Sequence, residues 1–208
     1  MINTIEIIRK EEQKTTTWTG GTTTELAIYP KDTAYSERNF MWRLSSARVE
    51  VEKSTFTSLS GIWRLIMVVE GEMALEHENQ HSTFLKPFEQ DCFSGEWVTK
   101  STGKVKDFNL MLARGCKGKL EAIKIEKEEL FEINEESFNF SDEFISLTEV
   151  FYCVKGNIAV VINKTEKFNL NEGDLLLIDM DRKSNDLYIK INAEHEQGAS
   201  IIRASILY

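Results

Sequence analysis

Two arginines stand where a strand-rich chain rarely keeps a charge. Arg64 interrupts the apolar run IWRLIMVVEG (62–71), and Arg43 precedes the alternating stretch ARVEVE (47–52). Side chains of equal parity share one face of a strand. Counting back by twos from Val51, Val49 and Ala47 therefore brings Ser45 and Arg43 onto the apolar side. An unpaired buried ion is strongly disfavoured, so both guanidinium groups need carboxylates, neutral acceptors or an anionic ligand close by. Glu25, Asp107 and Asn109 are the candidates; Asp107 and Asn109 share parity with Met111, opposite Phe108, Leu110 and Leu112. Two accounts fit. Arg43 and Arg64 are structural ions that pin the fold or snorkel to its rim, or they line a pocket for a small anion, because the guanidinium fork matches a carboxylate. Both hold together if Glu25 fixes one arginine and the other remains to meet a ligand.

The stretch WTGGTTTE (18–25) supplies that glutamate. Gly20 and Gly21 permit positive φ or a close backbone approach, which places Glu25 and nearby hydroxyls against the arginines. Trp18 reads either as a core aromatic or as a wall on which a ligand stacks. The GGTTT run lacks the GK[ST] ending of a phosphate loop.

The elements that must hold these groups are strands. Apolar residues fall in short bursts rich in Val, Ile, Phe and Trp with period two, at 47–52, 62–71, 107–115, 149–162, 173–180, 187–192 and 199–208. That is an all-β pattern of sandwich or barrel type. VEGEMA around Gly71 matches VKGNIA around Gly156, and a leucine stands fourteen residues past each glycine, Leu85 or Leu170, before PFEQD or NEGD. The spacing predicts a duplicated unit. The lysine- and acid-rich segment 115–143 is the expected boundary, giving domains 1–118 and 119–208; within it KIEKEELFEI reads as a short helix or an edge strand.

A chain of 208 residues can bury a core without disulfides. Cys92, Cys116 and Cys153 follow no metal or redox spacing and read as small core residues. The opening MINTIEIIRKEEQK lacks a secretion-type apolar run and no later run is long enough to span a bilayer, so a cytoplasmic protein without membrane partners is expected. A formal charge of −9 argues against a grip on nucleic-acid backbones and leaves small molecules as the expected partners.

WTGGTTTE (18–25), FMWRLSSARVE (40–50), FTSLSGIWRLIMVVEGEMAL (56–75), LKPFEQDCFSGE (85–96) and KDFNLMLARG (106–115) resemble the signature blocks of the HutD/Ves family. The resemblance covers most of the first half and reaches the second mainly through the repeat. It implies a bicupin, two cupin-type jelly-roll β-barrels in one chain, from a bacterial protein linked to histidine utilisation or stress response. The family's recurrent polar positions fall on Trp18, Gly20, Gly21, Thr23, Glu25, Trp42, Arg43, Ser45, Arg64, Asp107 and Asn109. Of these, Trp18, Thr23, Glu25, Arg43, Ser45, Arg64, Asp107 and Asn109 form the expected ligand-binding set. Where family members often carry Gly-Pro before the Phe-Ser block, this chain has Ser54 and Thr55 before Phe56.

Many cupins hold a metal through histidines, a glutamate and a glycine at fixed spacing. Counting back from Gly71 puts Arg64 at the glutamate, with no histidine among residues 56–60; counting from Gly156 lands on Glu149, with Asp142, Glu143, Phe144 and Ile145 at the histidine positions. His77 and His81 lie in the polar hairpin EHENQHS and read as surface residues, and the third histidine is His195. No metal and no cofactor is expected. The inward arginines predict binding of a small carboxylate metabolite, and the resemblance implies a sensor or modulator linked to histidine utilisation or stress response, with urocanate or formylglutamate as example ligands. An alternative is a metal-independent enzyme using Glu25 or Asp107 as general base. A purely structural module would instead show a closed barrel with no cavity.

Overall fold

The computed structural model describes residues 2–127, 129–133, 144–181, 187–194 and 196–208. Apart from two single-turn 3-10 segments, Lys10–Glu12 and Tyr35–Glu37, its regular structure is strand. His195, Asp142 and Glu143 lie outside the described residues. The chain forms two compact units, Gln13–Lys117 (the N barrel) and Gly118–Tyr208 together with the chain up to Glu12 (the C barrel). The expected 1–118 domain thus loses its opening segment: β1 (Ile2–Ile8) pairs antiparallel with β17 (Leu175–Asp181), and Arg9 reaches Asp174 at 2.7 Å.

In the N barrel one sheet runs β2 (Lys14–Trp18), β3 (Gly21–Tyr29), β4 (Trp42–Val49), β11 (Val105–Ala113), β6 (Ile62–Gly71), β9 (Gln90–Ser94). The other runs β5 (Lys53–Thr55), β10 (Thr99–Thr102), β7 (Met73–His77), β8 (Ser82–Leu85). Val49, Ile66, Val68, Phe93 and Val105 of the first sheet pack on Met73, Leu75 and Leu85 of the second, burying the apolar face that each strand's alternation creates.

The C barrel repeats this order: β1, β17, β14 (Ser146–Lys155), β19 (Ala199–Leu207) and β12 (Lys117–Ile125) in one sheet, β13 (Leu130–Ile133), β18 (Ile189–Ala193), β15 (Ile158–Ile162) and β16 (Glu166–Leu170) in the other. Strands β4 to β11 and β12 to β19 therefore trace the same eight-strand jelly roll. The described residues of KIEKEELFEI are divided between the end of β12 and the edge strand β13, which among the described residues pairs with β18 alone.

The duplication extends to single residues. Gly71 and Gly156 both take positive φ, 80° and 84°, and a Cβ on either would overlap the carbonyl oxygen of the residue just before the neighbouring strand, Lys104 or Gly198. Val69 and Val154 are the extra residues of matching β-bulges against β11 and β19. The acid that closes the turn after β8 is Glu89, bonded to the Lys86 N–H at 2.8 Å, as Asp174 bonds the Asn171 N–H at 2.9 Å. Asp91, two residues beyond Glu89, has no part in that turn. Of the cysteines only Cys153 is buried; Cys92 is exposed and Cys116 half-buried, so they do not form one core class.

Candidate functional site

The N barrel encloses a cavity of about 340 Å³ lined by Arg43, Ser45, Arg64, Asp107 and Asn109, with Trp18 and Thr23 on its wall. Each arrives by strand geometry. β4 presents Arg43, Ser45, Ala47 and Val49 inward in strict alternation, and β11 presents Asp107, Asn109 and Met111. Phe108, Leu110 and Leu112 are buried on the opposite face of β11. Arg64 lies opposite Met111 in the β6–β11 register, diagonal to Asn109, and faces the same cavity as Asp107.

The WTGG turn is a tight hairpin in which Trp18 pairs with Gly21 and Lys14 with Glu25. A side chain at Gly20 would collide with the Trp18 ring, and one at Gly21 (φ 148°) with the Arg48 carbonyl of β4, so both glycines let the hairpin lie close over the barrel. Trp18 is 39% exposed, and its ring forms cavity wall instead of core. Glu25 stands behind the wall. An irregularity after it, where Glu25 pairs with Ser45 but Ala27 with Leu44, brings its carboxylate to Arg43.

The two arginines have different surroundings. Arg43 donates from Nε to Glu25 Oε2 at 2.7 Å and lies 4.2 Å from the Tyr35 ring centroid. Arg64 lies over Phe56 and Phe93, 4.7 and 5.2 Å from their centroids, and its buried Nε has no hydrogen-bond partner. Among the described residues no carboxylate comes within salt-bridge distance of Arg64. Oδ1 of Asp107 and Oδ1 of Asn109 are also buried without partners. Burial pushes the Arg64 guanidinium down to about 10, against the pull of Tyr35 and Asp107, so it stays charged at neutral pH. Burial likewise pushes Asp107 up to about 7, opposed by Arg64 and the Ala47 backbone.

Several lining residues carry no legible sequence signal. Tyr35 comes from a 3-10 turn, and Ser54, Thr55, Phe56 and Thr57 from the edge strand β5 and the loop after it. Thr16 was accessible in principle, since it shares parity with Trp18 on β2.

The reading of His77 as a surface residue is overturned. His77 is 2% exposed and bonds Asp91 and Thr99. The alternation of MALEH points it inward with Met73 and Leu75. Burial holds its imidazole below the ordinary value, with Asp91 pulling the other way.

A cupin-type metal does not fit the residues at the family's metal positions. Arg64 occupies the glutamate position of the N barrel, and its counterpart Glu149 in the C barrel is committed to Arg203 at 2.7 Å.

The HutD family profile matches residues 10–197. The chain belongs to the HutD family. An uncharacterised 21.2 kDa protein from the hutC 3′ region of Pseudomonas putida is 33% identical over 115 residues, 52% of this chain and 58% of that protein. Protein Ves of Escherichia fergusonii is 33% identical over 106 residues, 48% of this chain and 53% of that protein. The chain thus spans little more than half the length of these relatives. A conserved protein of unknown function from Pseudomonas aeruginosa superposes with a TM-score of 0.77 at 23% identity, covering 98% and 99% of the two chains. HutD from Pseudomonas fluorescens, solved in a formate condition, gives 0.67 at 22%, covering 97% and 98%. An oxalate decarboxylase of Bacillus subtilis gives 0.65 at 6% identity, covering 95% of this chain and 76% of that one. The fold of this HutD-family chain is that of a bicupin.

Proposed function

We propose that the N barrel is a receptor for a small carboxylate, held by the Arg64 guanidinium and not by a metal. The observation that carries this reading is Arg64: a buried cation facing a 340 Å³ cavity with an unpartnered Nε and no carboxylate at salt-bridge distance among the described residues. Burying such a charge costs several kcal/mol unless something compensates it, and a bound carboxylate does so with paired N–H···O bonds. Glu25 keeps Arg43 in place at the cavity wall. Ser45 and Asn109 offer further polar contacts, and Trp18 an aromatic face.

Asp107 tunes the site. Protonated, it leaves the cavity with the net positive charge that an anion needs; ionised, it competes with the ligand for Arg64. Its value of about 7 predicts proton uptake on binding and an affinity that falls as pH rises above that point. The family and the hutC-region relative make intermediates of histidine breakdown the first candidates, with a sensing or modulating role. Titration calorimetry with urocanate and formylglutamate, at pH 6 and pH 8, tests the reading. Saturable binding that weakens at pH 8 and vanishes in Arg64→Met supports it; absence of any binding or thermal stabilisation by these acids sinks it.

One observation favours an enzyme as second reading: a buried carboxylate with a value near 7 is suited to general-base work. In that case Asp107→Asn abolishes turnover of a bound acid while leaving it bound, and product is detected with the native chain.

A further inference from the structure

The hairpin joining β7 and β8 and the edge strand β9 hold a second polar cluster outside the cavity wall. The His77 N–H donates to the His81 carbonyl at 2.9 Å, closing the turn and setting the imidazoles side by side, with ring centroids 4.5 Å apart. Both aim Nε2 at one carboxylate: His77 Nε2 lies 2.9 Å from Asp91 Oδ2, and His81 Nε2 3.1 and 3.0 Å from Oδ1 and Oδ2. We propose that His77, His81 and Asp91 bind a divalent transition-metal ion of Zn²⁺ type through the two Nε2 atoms and a carboxylate oxygen.

Three observations support this. First, the donor atoms all lie within 4.8 Å of one another. Donors in a tetrahedral zinc site with bonds of about 2.0–2.2 Å stand roughly 3.3–3.6 Å apart, so modest side-chain adjustments bring these into range. Second, His77 already has the kind of outer-shell partner that orients a ligating imidazole: its Nδ1 lies 2.8 Å from Thr99 Oγ1, and with Nδ1–H donated to that hydroxyl the Nε2 lone pair faces the Asp91 side of the cluster.

Third, the fold does not need these groups. The pairings that align the barrels, His77 with Thr99 and Ile162 with Ile189, Ile66 with Asp91 and Phe151 with Leu176, put Ile162, Ile189 and Leu176 at the places of His77, Thr99 and Asp91. All three are fully buried in the hydrocarbon core of the C barrel. The same corner is thus closed by apolar packing in one barrel and carries imidazole, hydroxyl and carboxylate in the other. The repeat's turn acid is Glu89, so Asp91 is not explained by the turn either.

Untagged full-length protein, stripped with a chelator, is titrated with Zn²⁺ by calorimetry and with Co²⁺ by visible absorption. The expected result is one saturable equivalent, with Co²⁺ d–d bands that Zn²⁺ displaces. The His81 side chain is 40% exposed, so His81→Gln spares the packing. It and Asp91→Asn are each expected to weaken Zn²⁺ binding at least tenfold. Arg64→Met should keep Zn²⁺ affinity while losing carboxylate binding, which separates this site from the cavity. Unchanged Zn²⁺ affinity in folded His81→Gln, or no saturable equivalent in the native chain, overturns the proposal.

Discussion

The two barrels answer one geometric problem in opposite ways. The strand registers place Glu149 where the N barrel has Arg64, Arg203 where it has Asn109, and Ile201 where it has Asp107. In the C barrel the swapped charges meet. Arg203 Nε reaches Glu149 Oε2 at 2.7 Å and its Nη1 reaches Glu121 at 3.3 Å, while Ile201 joins Phe151 and Cys153 in the core. In the N barrel the cation on β6 faces Asp107 and Asn109 across a cavity without closing a salt bridge. Duplicate architecture can therefore carry either a self-neutralised ion pair or an open cationic hollow. The choice lies in a few inward positions on two strands.

The largest effect that probes this contrast is in the C barrel. Arg203→Met leaves Glu149 ionised or protonated without its partner, and burial already pushes that carboxyl up. A loss of about 3–5 kcal/mol in urea unfolding is expected, recovered in large part by adding Glu149→Met. Arg64→Met should cost far less, because no salt bridge is broken. Equal losses in the two barrels would break the comparison.

Next in size is a pH effect. Asp107 holds its proton up to about 7 in the folded state, whereas an unfolded Asp releases it near 3.9. The folded chain binds more protons between those values, so stability declines as pH rises from about 4 to 7 and then levels, by up to roughly 4 kcal/mol. Asp107→Asn should flatten this segment of the pH–stability curve; an unchanged curve would mean that another group titrates there.

A third test sharpens the assignment of roles in the hollow. Arg64→Lys keeps the charge but removes the planar fork, and we expect carboxylate affinity to fall about tenfold, against a hundredfold or more for Arg64→Met. The smallest effect is at the wall. Trp18→Ala should lower affinity by a few-fold, the equivalent of roughly 1 kcal/mol, with little change in stability because the ring is 39% exposed.

Much of the hollow was legible because β4 and β11 run straight past it. Parity alone put Arg43, Ser45, Asp107 and Asn109 on one side, since no bulge intervenes between 43 and 49 or between 107 and 111. Glu25 was legible as a partner but not in position, because the irregularity at Leu26 decides what its carboxylate meets. Tyr35 and Phe56 were illegible, since a 3-10 turn and a loop have no period to count. His77 was misread for a different reason. The polarity of EHENQHS outweighed the alternation of Met73, Leu75 and His77, and a buried polar cluster imitates a surface turn in composition. The repeat was legible through its glycines and leucines, whereas the equivalence of Glu89 with Asp174 shows only in the turn hydrogen bonds and the strand registers.

The pairing of β1 with β17 also has a bearing on biosynthesis. Strand Ile2–Ile8 is synthesised long before its partner Leu175–Asp181. At about 5–20 residues per second, the wait is roughly 10–30 s. Throughout that interval a hydrophobic ribbon has no neighbour to zip onto, while the Gln13–Lys117 unit behind it is already complete. Cellular chaperones that mask nascent apolar segments would find a target in this strand until its partner is made.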